Sequence, residues 1–284
     1  AKRPEPTFQN APPLASKPAK SASRRLSATV CVGKALRFPA NAKFAWLTPT
    51  CSKTRMSFVI SPQAQPSVAV AGSDQRFPVR RIFCVGRNYA DHVREMGNDP
   101  KSEPPLFFSK PADAVVESGA LIAYPSNTSN LHHEVELVIA IGAGGSNIDE
   151  ASALSHVWGY GVGVDLTRRD RQAEAKKAGT PWDTAKGFDR SAPISALTPA
   201  ASCGDAANAR IWIKVNGETR QDANTHDMIW RIPEIIAALS RWWELKPGDL
   251  IFTGSPSGVS ALNPGDAIEC GVDGLAPLSF SISR

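Results

Sequence analysis

Two glutamates stand two residues apart at the head of an almost wholly aliphatic stretch, "NLHHEVELVIAIG", residues 130–142. Side chains alternate along a strand, so Glu134 and Glu136 share a face, about 7 Å apart by two strand rises. Val138, Ile139, Ala140 and Ile141 are apolar on both faces, which reads as a strand buried on both sides. Carboxylates so placed disfavour each other's ionisation unless something positive lies between them. The competing reading is a strand that emerges into solvent, with the pair merely exposed. Asp165, at the end of the Gly-punctuated stretch "GYGVGVD", offers a third carboxylate. Three oxygen ligands with no cysteine nearby suit a hard cation such as Mg²⁺, which keeps positions open for water and substrate. The neighbouring His132 and His133 would instead suit a transition metal. An E-x-E pattern alone is common in exposed strands, and the sequence leaves both readings open. A second pair, His92 and Glu95, is spaced i, i+3 in "RNYADHVREMGN" and lies on one face of a short helix. A carboxylate beside an imidazole orients the ring and raises its basicity, which suits activation of water. The competing reading is a surface pair worth a few tenths of a kcal/mol.

Other chemistries find no support. "GYGVG" has no third glycine opening a helix, no G-x-x-x-x-G-K-[ST] occurs, and "GSPSG" does not fit G-x-S-x-G. No Ser, His and acid are ordered as a triad.

The elements that must position these residues are mostly strands. "VRRIFCVG" reads as a strand, followed by the short helix, with Asn88 as its cap, Asp91 completing a capping box and Gly97 ending it. "SFVISP" and "PSVAVAG" read as short edge strands interrupted by proline. "IDEASALSHVWGYGVGVD" gives a helix and then a strand, "TRRDRQAEAKKAG" a charged helix, and "RIWIKVNGETRQ" a hairpin with an Asn-Gly turn. "IPEIIAALSRWWEL" reads as a helix, and "DLIFTG" and "DAIECGV" as strands beside Pro-Gly turns. Many strands and few scattered helices imply a β-rich α+β domain rather than regular βαβ alternation.

With 284 residues the chain is long enough for one large domain with an appendage, and its net charge of +5 is unevenly spread. Residues 1–55 hold 11 Lys and Arg against the single acid Glu5, leaving 21 against 26 in the remainder. The globular part is therefore mildly acidic, and no basic nucleic-acid-binding module is expected in it. The expected organisation is a basic, disordered arm over residues 1–55, a small strand region over 56–78, and a catalytic domain over 79–284. The arm has the composition of a disordered or organelle-targeting segment, or of an over-extended start ahead of Met56. No apolar run is long enough for a membrane span. Five cysteines without C-x-x-C spacing form no disulfide or zinc framework. A cytoplasmic location is expected, with organelle targeting by the arm as the alternative.

The motifs "IFCVGRNYADHVREMG", "LHHEVELVIAIG", "GYGVGVDLTRRDRQ", "PWDTAKGFDRSAP", "KVNGETRQ", "MIWRIPEIIAALS" and "PGDLIFTGSPSGV" follow one another as in the fumarylacetoacetate hydrolase family. The chain most resembles its acylpyruvate and fumarylpyruvate hydrolase branch, over roughly residues 80 to 275. The resemblance implies a mixed β-roll with a few peripheral helices and a homodimer. It implies Glu134, Glu136 and Asp165 as ligands of Mg²⁺ or Mn²⁺, and His92 and Glu95 as a water-activating pair on a lid. Lys186 is implied to stand near the reacting carbonyl, Arg169 and Gln172 to line the site, and Thr253 to face the substrate. Ser255 departs from the commoner "TGTP", and Arg171 replaces a residue more often apolar. The implied activity is hydrolysis of the C–C bond of a 2,4-dioxo acid, foremost fumarylpyruvate to fumarate and pyruvate in aromatic breakdown through gentisate. Oxaloacetate decarboxylation and dienoate isomerisation or hydration are the alternatives on the same scaffold. Arg168, Arg171 and Lys177 are the sequence's candidates for gripping a distal carboxylate.

Overall fold

The computed structural model describes residues 58–91 and 104–283. The arm at residues 1–55 therefore lies outside the described residues, as do His92, Glu95 and the expected helix end at Gly97.

The fold is a β-rich α+β arrangement with few helices, as the strand-dense pattern implies. Its main sheet has eight strands. Seven run in the order Leu106–Lys110, Arg81–Gly86, Asp249–Phe252, Val135–Ile141, Val157–Val164, Ala192–Ile194 and Val115–Glu117, and Thr198–Pro199 pairs with Val157–Val164. Parallel and antiparallel pairings mix within it. A five-stranded sheet of Glu218–Asn224, Arg210–Val215, Ala267–Val272, Leu278–Ser283 and Ala120–Ala123 packs on one of its faces. The two faces of Val135–Ile141 enter different cores. Leu137, Ile139 and Ile141 pack with Ile211, Ile213 and Phe280. Val138 and Ala140 pack with Ile82, Leu250 and Phe252. This is why the strand is apolar on both sides.

Local turn chemistry behaves as the sequence implies. The hairpin from Arg210 to Asn224 turns at Asn216 and Gly217, both at positive φ (53° and 81°), the pair a type I′ turn demands. The charged helix is Arg169–Ala178, closed by Gly179 at φ 66° with Thr180 N–H donating to the Ala175 carbonyl.

Two expectations differ. Residues 58–62 form no strand, whereas Ser67–Ala69 does and pairs with Arg76–Pro78. Val68 and Phe77 enter the same core as Ile82 and Leu250, so this pair shares the packing of the strands that follow it. Asn88 is not a helix cap: it is fully buried, its Nδ2 donates to the carbonyls of Trp230 and Thr253, and its Oδ1 accepts from Trp230 N–H. These long-range bonds outcompete the local capping geometry.

Candidate metal centre

Strand register brings the three acids together. Val135 pairs with Val164 and Glu136 with Gly163, so Glu134 and Asp165 sit side by side where the two strands end, and Asp165 N–H donates to the Glu134 carbonyl at 2.8 Å. Carboxylate oxygens of Glu134, Glu136 and Asp165 lie within 4.8 Å of one another. All three residues are buried, at 6%, 2% and 0% exposure, which removes the reading of an exposed pair. Glycine is required opposite Glu136: a Cβ on Gly163 would meet Phe252 Cε1 at 2.4 Å and Val138 Cγ2 at 2.6 Å.

Cations stand against this cluster. Lys186, delivered by the one-turn helix Asp183–Lys186, donates to Glu134 Oε2 at 2.6 Å, Asp165 Oδ2 at 2.5 Å and Thr167 Oγ1 at 2.7 Å. All three of its N–H groups are thereby directed at acceptors. Burial lowers the Lys186 pKa, but Asp165 and Glu134 outweigh it and the net shift is upward, so the ammonium stays charged. Arg169 opens the Arg169–Ala178 helix and donates to Glu134 Oε1 at 2.5 Å, to Gln172 Oε1 at 2.6 Å and, more weakly, to His132 Nδ1 at 3.4 Å. Lys110, which sequence reasoning missed, is fully buried at its tip and lies 2.8 Å from Asp165 Oδ1. Its only sequence signal is a lysine closing the strand "LFFSK", one among 32 basic residues.

Glu136 is different. Its Oε2 accepts from Gly254 N–H at 2.7 Å, and among the described residues no ion pair neutralises it. Burial, then the charges of Asp165 and Glu134, push its pKa well above the ordinary carboxylate value. Gly254 can point its N–H there because it adopts φ 95°, and a Cβ on it would meet Asn88 Cβ at 2.6 Å.

The histidines are not ligands in this geometry. His132 Nε2 meets Asn130 Oδ1 at 2.8 Å, and burial with the nearby Arg169 lowers its pKa to about 4, so the ring is neutral. His133 Nδ1 meets Gln221 Oε1 at 2.9 Å and Nε2 meets Ser260 Oγ at 2.8 Å. The amide oxygen can only accept, which puts the His133 proton on Nδ1 and makes Nε2 the acceptor of the Ser260 hydroxyl.

The residues fit a hard divalent cation. The donor set is all oxygen and buried, Asp165 Oδ1 has no hydrogen bond despite its proximity to Lys110, and Glu136 holds a carboxylate that only a positive partner would ionise readily.

One cavity is bordered by the triad together with Arg87, Arg169, Gln172, Lys176, Trp182, Lys186 and Ser255. Arg169, Gln172 and Lys186, all named from the sequence, border this cavity. Thr253 does not: it is fully buried, its Oγ1 donates to the Leu137 carbonyl at 2.9 Å, and the hydroxyl bordering the cavity belongs to Ser255. Ser255 Oγ accepts from Gln221 Nε2 at 2.8 Å, which leaves its own proton to donate elsewhere. A two-residue slip within "FTGSPSG" separates the two hydroxyls, and the strand's last pairing on Leu137 decides which of them faces inward.

The model of the fumarylacetoacetate (FAA) hydrolase C-terminal family matches residues 81–283. This chain belongs to the fumarylacetoacetate hydrolase family. It is 46% identical over 205 residues to the mitochondrial oxaloacetate tautomerase FAHD1 of Rattus norvegicus, covering 72% of this chain and 92% of the relative. It is 44% identical over 197 residues to the mitochondrial oxaloacetate decarboxylase of Dictyostelium discoideum, covering 69% and 90%. The crystal structure of fumarylpyruvate hydrolase from Pseudomonas aeruginosa in complex with Mn²⁺ and pyruvate superposes with a TM-score of 0.78 at 51% identity, covering 80% of this chain and 99% of that one. The chain is thus a family enzyme. Among the described residues no helix is long and apolar enough to cross a membrane.

Proposed function

We propose that this chain is a metal-dependent enzyme of small 2-oxo acids, and that its first reaction is the enolisation of oxaloacetate, as tautomerisation or decarboxylation. The observation that carries the reading is the buried triad of Glu134, Glu136 and Asp165 beside Arg169 and Lys186. These three carboxylates would hold Mg²⁺ or Mn²⁺. When bound, such a cation supplies the positive charge that draws an electron pair toward the 2-oxo oxygen. The chain's own residues do the rest. Arg169 and Gln172 orient the carboxylate next to the 2-oxo group, and the Ser255 hydroxyl donates to the same end of the substrate. Lys186 supplies the counter-charge to Glu134 and Asp165 in the buried site. In tautomerisation the carbon beside the 2-oxo group gives up a proton to solvent, its bonding pair passes to the 2-oxo oxygen, and that oxygen takes up a proton to give the enol. In decarboxylation the bond to the distal carboxylate breaks, carbon dioxide leaves, that bond's electron pair passes toward the 2-oxo oxygen, and the pyruvate enolate is then protonated at carbon by solvent. Neither requires an attacking water, and both named activities belong to relatives at 44–46% identity.

Hydrolysis of fumarylpyruvate, the activity the sequence motifs imply, is the second reading. It is favoured by the 51% identical structure determined with Mn²⁺ and pyruvate, the latter a product of that cleavage. It additionally needs a base to activate water, and His92 held by Glu95 is our proposal for that role.

Separate incubations with oxaloacetate, fumarylpyruvate and acetylpyruvate, with Mg²⁺, with Mn²⁺ and with chelator, test both readings. The expected result is metal-dependent enol–keto interconversion or decarboxylation of oxaloacetate, lost with chelator. Release of fumarate and pyruvate without turnover of oxaloacetate would replace the first reading by the second, and metal-independent turnover of every compound would refute both.

A further inference from the structure

The cavity carries positive groups that the proposed chemistry leaves unused. The cations that the sequence offers for a distal carboxylate are not among them. Arg168 donates to the Thr184 carbonyl and lies over Phe188, and Arg171 pairs with Glu174 and donates to the Asn127 carbonyl. Neither they nor Lys177 border the cavity. Arg87 and Lys176 do.

Helix geometry explains the selection. Lys176 lies four residues after Gln172 and seven after Arg169 in the Arg169–Ala178 helix, so the three share the face that looks onto the triad. Lys177 is rotated about 100° off that face. The Lys176 ammonium lies 5.4 Å from the centroid of the Trp182 ring, which borders the same cavity and restrains the long side chain. Arg87 enters from another wall, directly after the strand Arg81–Gly86, at φ 60°, a backbone conformation that a residue without a special requirement avoids. Partial burial, then the charges of Arg169 and Arg87, lower the Lys176 pKa, which places the three cations within electrostatic reach of one another.

We infer that Lys176, with Arg87, grips the carboxylate at the far end of the substrate, so that the enzyme selects dicarboxylic 2-oxo acids over monocarboxylic ones. This rests on the reading that the 2-oxo acid end of the substrate sits at the triad. The cation cluster is then a specificity device: ion pairing in a partly desolvated site rewards the acid that carries a second negative charge.

The test is a binding comparison on the full chain with Mn²⁺, using 2-oxoglutarate and 2-oxopentanoate, which differ only in a terminal carboxylate. Calorimetry should show tighter binding of 2-oxoglutarate by wild type. In Lys176→Met that preference should shrink about tenfold or more, a change of 1.4 kcal/mol, with 2-oxopentanoate affinity unchanged. Lys176→Arg should restore the preference, and Arg87→Gln should reduce it. Equal weakening of both ligands in Lys176→Met, or no change in their ratio in either Lys176→Met or Arg87→Gln, would overturn the inference. Because binding is read, an enzyme that turned over none of the proposed substrates would refute the reaction while this ratio still decided the recognition.

Discussion

Glu136→Gln separates stability from function at this site. The wild-type carboxylate is 2% exposed, accepts one hydrogen bond from Gly254 and faces the charges of Asp165 and Glu134. Its folded-state pKa is therefore raised, by burial first and then by those two acids. The native state binds more protons than the unfolded one between the ordinary and the raised pKa, so stability of the metal-free protein falls as pH rises through that window. Glutamine keeps an oxygen for Gly254 N–H and removes the charge. The gain in the metal-free variant should be on the order of 1–3 kcal/mol once pH exceeds the raised pKa, roughly 2–12 °C in Tm at 2–4 °C per kcal/mol for a domain of this size. Wild type should respond to Mn²⁺ at a hundred times its Kd with about 2.7 kcal/mol of stabilisation, or roughly 5–11 °C. The variant should not respond. Thermal melts of both proteins with chelator and with Mn²⁺, from about pH 5 to 9, spanning ordinary carboxylate and more basic values, measure all of this. A metal-free variant less stable than wild type across the range, or one still stabilised by Mn²⁺, would refute the assignment of Glu136 as an unpaired ligand.

Lys186→Met should destabilise the metal-free protein by about 3–5 kcal/mol, because Glu134 and Asp165 lose a buried counter-ion; denaturant melts check this, and a change below about 1 kcal/mol would show that the lysine is dispensable to the cluster. Thr253→Val should cost about 1 kcal/mol of stability through the lost bond to Leu137 while leaving KM unchanged, whereas Ser255→Ala should raise KM; steady-state kinetics on the two variants would contradict the placement of these hydroxyls if the effects were reversed. Gly163→Ala should cost about 1–3 kcal/mol by overpacking against Phe252 and Val138, and should weaken Mn²⁺ binding, because the strand opposite Glu136 must shift; an unperturbed melt and metal titration would sink that account. Mn²⁺ and 2-oxoglutarate should each tighten the binding of the other by the same factor, and titrations of each in the presence of the other will show independence if the charge argument below is wrong.

What was legible in the sequence follows from what is local. The alternation of Glu134 and Glu136 and the continuous apolar run after them specify a buried strand, and Asp165 at the end of its own strand needs only an antiparallel register to meet Glu134. Turn and cap residues such as Asn216, Gly217 and Gly179 were legible for the same reason: positive φ is a local demand. Asn88 was misread because its partner Trp230 is 142 positions away, and nothing in "RNYAD" announces it. Which of the Thr253 and Ser255 hydroxyls borders the cavity depends on where the strand's pairing stops, which two residues of sequence do not tell. The basic residues were hardest. Lys110, Lys176 and Lys177 look alike in sequence, and only helix phase and sheet position decide that one is buried against Asp165, one borders the cavity and one does neither.

The buried charges also connect the two ends of the proposed substrate. Glu134 and Asp165 face Lys110, Lys186 and Arg169, whereas Glu136 has no ion-pair partner among the described residues. These pairings offset the burial of Glu134 and Asp165, since an uncompensated carboxylate costs several kcal/mol. A divalent cation held by the triad would give Glu136 its missing positive partner and leave net positive charge over. An anion must follow, and a 2-oxo acid with two carboxylates brings the matching charge. Lys186, with its three N–H groups on Glu134, Asp165 and Thr167, fixes two of the three acids in place. Arg87 and Lys176, from two different walls of the same cavity, would extend the positive field toward the far end of the substrate. The order of affinity among ligands is then set by charge before shape, because a missing carboxylate forfeits a charge-assisted contact, whereas a missing methylene leaves only a gap.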